Sequence, residues 1–94
     1  MKTNELLALK IEKEGEKPQI RQAQEELAEL IVALSHLCRD RKGAADEVAE
    51  EMADVEIIML QLRKIFKNDD AVGYFKRMKL HRLAGMLGVT YDSE

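Results

Sequence analysis

An all-α fold is predicted for this 94-residue chain, and three observations carry the prediction. Apolar residues recur at three- and four-residue spacing over long stretches, the signature of one buried helix face. Polar or glycine breaks fall at Gly15, at Asp40–Gly43 and at Asn68–Asp70, dividing the chain into four such stretches. The composition, 46% hydrophobic and 35% charged with one proline and only two Tyr and two Phe, lacks the β-branched, aromatic and turn-rich character of a sandwich.

Each element follows from local chemistry. Asn4 offers a cap for a short first helix, with Leu7 and Ile11 one turn apart, that ends near Gly15. Pro18 suits the first turn of a second helix, where its missing N–H costs nothing. That helix runs to about residue 39, with Ala23, Leu27, Leu30, Ile31, Leu34, Leu37 and Cys38 on one stripe, which makes Cys38 a small core residue. A third helix spans about 45 to 67 on the stripe Val48, Met52, Val55, Met59, Leu62 and Phe66. Asn68, Asp69 and Asp70 can cap a fourth, from about 70 to Gly88, and residues 89–94 form a tail. Short connections between long amphipathic helices imply antiparallel neighbours in a single bundle-like domain with its core between residues 4 and 87. A chain this small buries a modest share of its surface, so assembly into a dimer or tetramer is expected.

Charge and cysteine usage exclude several classes. The net charge of −3 supplies no global field for nucleic acid or anionic membrane. One cysteine rules out an internal disulfide framework and a thiolate zinc site. The start MKTNELLALKIEKE has no signal-peptide core and no apolar run reaches spanning length, so the expectation is a cytoplasmic protein. The charges are unevenly placed, however: seven Lys or Arg lie between Arg63 and Arg82, whereas the acids concentrate in residues 25–56.

Within that acidic region the hexapeptide EELAEL, residues 25–30, is echoed by EEMADV, residues 50–55. At about 100° per residue, Glu26 lies about 40° and Glu29 about 100° to one side of Leu30, and Glu51 and Asp54 stand in the same relation to Val55. If the two helices pack antiparallel through these stripes, the four carboxylates converge. Converging carboxylates resist ionisation unless a cation lies between them, and an oxygen-only set suits Mg²⁺, with Mn²⁺ as a substitute. A di-iron centre would need Glu-x-x-His, but Ala33 and Met78 precede His36 and His81 by three residues. The bland alternative is a pair of solvated helix flanks. On the fourth helix Lys79 falls within the apolar stripe, with Lys76 in the same arc and Arg82 at its edge, so that Lys79 either snorkels to water or meets an anion.

Glu25-Glu26-Leu27-Ala28-Glu29 followed by Glu51-Met52-Ala53-Asp54 resembles the EExxE…ExxD signature of MazG-like nucleotide pyrophosphohydrolases, and the likeness extends over roughly residues 13–84. The resemblance implies Mg²⁺ ligation by Glu26, Glu29, Glu51 and Asp54, a water-orienting or general-base role for Glu25 or Glu29, and phosphate contacts from Lys76, Lys79 and Arg82. It implies cleavage of a (deoxy)nucleoside triphosphate between the α and β phosphates, in a homodimer or homotetramer, with no nucleic-acid or membrane partner. A helical nucleotide-binding or protein-interaction module without turnover is the rival expectation.

Overall fold

A computed structural model describes residues 1–92. These residues form four helices, α1 (Thr3–Glu14), α2 (Glu16–Cys38), α3 (Ala44–Phe66) and α4 (Asp69–Leu87), with no strand among them. The protein is all-α, as predicted.

The breaks lie where backbone chemistry demands them. α1 and α2 are separated by Gly15 alone, whose φ of 86° and ψ of 167° are accessible to little but glycine. Pro18 occupies the first turn of α2. Gly43, at φ 77°, closes the turn into α3, and Lys67, at φ 50°, ends that helix in the left-handed region. Two expected caps are not used. α1 starts at Thr3, ahead of Asn4, where the Lys2 backbone N–H donates to Glu5 Oε1 (3.2 Å). Asn68 occupies the N-cap of α4, but its side chain makes no capping bond.

α2 and α3 form the principal antiparallel pair, and α1 packs across both. Two contacts mark the register: Gln61, near the end of α3, meets Gln19, near the start of α2, and His36 Nδ1 meets Glu47 Oε1 (2.9 Å) at the opposite end. α4 makes at most slight contact with the other three, apart from an Arg63 Nε–Asp69 Oδ1 ion pair (3.1 Å) at its root. The radius of gyration, 16.6 Å, is correspondingly large against the roughly 13 Å of a compact chain of this length.

The inward face differs from the predicted stripes. Ala23 is buried, but Leu27, Ile31, Leu34, Leu37 and Cys38 are exposed, and on α3 Ile58 and Gln61 are buried while Met52, Met59 and Phe66 are not. The physical reason is that small residues, Ala23, Ala33 and Ala44, sit at the α2–α3 contact, leaving the larger side chains on the outer flanks. Cys38 is therefore not a core residue.

Candidate metal and ligand site

The antiparallel pairing of α2 and α3 has a consequence for the acids. Glu26 follows Gln19 by seven residues, and Asp54 precedes Gln61 by seven, so contact between the glutamines brings Glu26 and Asp54 opposite each other. One further turn along each helix places Glu29 beside Glu51. Oxygen atoms of Glu26, Glu51 and Asp54 lie within 4.8 Å of one another.

Burial pushes the Glu26 carboxyl above the ordinary carboxylate range, with the charges of Asp54 and Glu29 adding to the effect. Glu51 is raised in the same way, first by desolvation and then by Glu29, Asp54 and Glu26. One oxygen of each, Glu26 Oε2 and Glu51 Oε2, is buried without a hydrogen-bond partner. Carboxylates so placed have unspent ligand capacity and a cost of ionisation that a divalent cation would relieve. The all-oxygen donor set fits Mg²⁺ or Mn²⁺.

Of the residues predicted for the site, Glu26, Glu51 and Asp54 form the cluster, and Glu29 borders it. Glu25 is exposed, about 100° round α2 from Glu26. Lys76, Lys79 and Arg82 are exposed on α4, where Arg82 lines a separate hollow with Tyr74, Arg77, Met78 and His81.

Two hollows flank the cluster. A smaller one, about 240 Å³, is lined by Ala28, Glu29, Val32, Glu47 and Glu51. The other, about 430 Å³, lies between α1, α2 and α3, with Glu26 and Asp54 in its wall. Its apolar lining comes from Leu6, Leu7, Leu9, Ile57 and Ile58, and its polar lining includes Lys10, Lys13, Gln22 and Gln61. This volume lies within the roughly 300–1,000 Å³ typical of small-molecule sites.

Sequence reasoning found Glu26 and Asp54 in this wall but gave no role to Lys10, Lys13, Gln22 or Gln61. Lys10 Nζ donates to Gln22 Oε1 (2.5 Å) and to Gln19 Oε1 (3.2 Å), and Gln61 Nε2 donates to Gln19 Oε1 (3.0 Å). Gln19 and Gln61 are the two largest fully buried side chains among the described residues. A signal was present, since Gln19 lies one turn before Ala23 on the inward side of α2, but an amide there breaks the apolar pattern used to identify cores.

No helix among the described residues is long and apolar enough to cross a membrane. Comparison of the chain with family models, with curated proteins and with solved structures finds no match.

Proposed function

We propose that the protein is a Mg²⁺-dependent nucleoside triphosphate pyrophosphohydrolase of the MazG-like kind, cleaving a (deoxy)nucleoside triphosphate to its monophosphate and pyrophosphate. The observation that carries this reading is the convergence of Glu26, Glu51 and Asp54 from two helices at the edge of a cavity of nucleotide-binding size.

Mg²⁺, when bound, would neutralise phosphate oxygens and acidify a water. Glu26, Glu51 and Asp54 would hold the cation, with Glu26 Oε2 and Glu51 Oε2 supplying ligands already desolvated and the exposed Asp54 a third. Glu29 is exposed like Glu25 but adjoins Glu26 and Glu51, so it is the better placed of the two to accept a proton from the attacking water. Lys10 and Lys13, in the wall shared with Glu26 and Asp54, would offset triphosphate charge from within the same chain. Lys76, Lys79 and Arg82 would reach that triphosphate from a neighbouring copy.

Self-association belongs to this proposal. The protomer exposes 7602 Å², about 2,000 Å² more than the ~5,500 Å² expected of a compact chain of 10.7 kDa. The excess is apolar in large part, with Ile31, Phe66, Met86 and Leu87 each more than half exposed. An excess of this size matches the burial expected in a permanent oligomer and supports a dimer or tetramer in which α4 packs against another copy.

The test is to incubate the protein with each dNTP and NTP and Mg²⁺. Monophosphate and pyrophosphate are the expected products, and orthophosphate release would contradict the proposed bond.

A further inference from the structure

The apolar residues that the α2–α3 contact leaves outside are regularly spaced. On α2, Ile20, Ala23, Leu27, Leu30, Leu34 and Leu37 follow one another by three and four residues in alternation, and on α3 Val48, Met52, Val55, Met59, Leu62 and Phe66 do the same. A strict repeat of this kind belongs to a helix that seats its side chains in the holes of another helix. Within the chain both seams are largely unused. Leu27, Leu34, Leu37, Met52, Met59 and Phe66 are between 40% and 54% exposed.

Helix geometry places the two seams on one side of the pair. α1 covers the side marked by Gln22 on α2 and by Asp54 and Gln61 on α3, which line the cavity beneath it. Leu27 follows Gln22, Met59 follows Asp54 and Phe66 follows Gln61 by five residues, a rotation of about 140° in each case. Because α2 and α3 are antiparallel, equal rotations away from α1 carry both seams to the opposite face of the pair. Each seam spans an arc of about 80–100° that holds no charged residue between its ends.

Two occupants are available for such a face. α4 of the same chain carries Lys76 and Lys79 within its own apolar stripe, and a charge-free seam would desolvate both ammonium groups without a partner. The same face of a second copy brings apolar side chains of the same period and no charge. Two antiparallel helices closed by two more make a four-helix bundle, and identical faces can meet about a two-fold axis. The area agrees: the protomer exceeds a compact chain of its mass by about 2,000 Å², more than the roughly 800 Å² per partner of a stable interface.

We infer that the α2–α3 face opposite α1 docks the same face of a second copy, so that α2, α3 and their symmetry mates form an antiparallel four-helix bundle. This pairing deepens the self-association proposed above by fixing its surface, and it does not depend on turnover. Cavity and seam lie on opposite faces, so the cavity of each copy stays accessible.

Light scattering of the full chain at micromolar concentration should give a dimer, or a tetramer built from dimers. Leu34→Glu and Met59→Glu change side chains already exposed in the protomer. Each should weaken association about a hundredfold or more, with helical content by circular dichroism retained. In a mixture of isotope-labelled and unlabelled protein, intermolecular nuclear Overhauser effects should join the methyl groups of Leu27, Leu34, Met52 and Met59 to the other copy, a readout that needs no variant to fold. A monomer, folded variants of wild-type mass, or intermolecular effects confined to α4 overturn the inference. A seam-paired dimer that releases no pyrophosphate would sink the hydrolase reading alone, and a monomer that hydrolyses triphosphate would sink only the pairing.

Discussion

Gln61 Nε2 donates to Gln19 Oε1 across 3.0 Å in the interior of the α2–α3 contact, seven residues from the point on each helix where Glu26 meets Asp54. Ala23 and Ala33 are buried on α2 without any directional contact, whereas a buried amide pair can bond in one register only. The buried amide pair pins the register of α2 on α3, and that register brings the acids together.

Removal of the amide from one side should therefore be felt. Gln19→Leu leaves Lys10 and the Gln61 amide without their shared acceptor. The expected loss is about 1–3 kcal/mol of stability, read as a lower midpoint in urea, with carboxylate-dependent Mg²⁺ binding weakened in parallel. A shift below about 0.5 kcal/mol would show that the register is held elsewhere.

The raised pKa values of Glu26 and Glu51 determine how stability responds to pH. A carboxyl that is harder to ionise in the folded state holds its proton longer there than when unfolded. Stability is then greatest below the unfolded carboxylate pKa, near 4.5, and falls as pH rises through the higher folded values. A cation competes with those protons, so Mg²⁺ should raise Tm more at pH 8 than at pH 5. Glu51→Gln should raise the metal-free Tm at pH 8 and remove most of the Mg²⁺ response. Equal Mg²⁺ shifts at both pH values would argue against binding at this cluster.

Within the hydrolase reading, Asp54→Ala and Glu51→Ala should each lower kcat by about a hundred- to a thousandfold or more, with helical content by circular dichroism unchanged. Retention of activity within a few fold would place the metal elsewhere.

Gly15→Ala tests the α1–α2 junction. The added Cβ meets only Pro18 Cδ, at an ordinary 3.8 Å, so the cost comes from the backbone, whose φ of 86° disfavours any side chain. A loss of about 1–3 kcal/mol is expected. Because α1 carries Leu7, Lys10 and Lys13 to the cavity, ligand affinity should fall as well.

Met86 and Leu87 are 78% and 68% exposed near the end of α4. Their joint replacement by Asp removes no contact within the chain core, so monomer stability should change by less than about 0.5 kcal/mol per site. Light scattering should nonetheless show a smaller assembly. An unchanged mass would exclude this end of α4 from the interface.

The four helices and their limits, within two residues at each end, were legible in the sequence, because glycine, proline and polar clusters act on the local backbone. The matched spacing of Glu26 and Glu29 with Glu51 and Asp54 was legible too, since helix periodicity alone sets which side chains share an edge. The inward faces were not. Periodicity gives the large apolar residues a stripe but does not say whether that stripe faces this chain or another, and α4 with much of α2 turns its stripe outward. Only tertiary contact decided that Gln19, Gln61 and Lys10 form a network and that α1 closes a cavity beside the acids, because those hydrogen bonds join residues nine to 42 positions apart, beyond the reach of any local pattern.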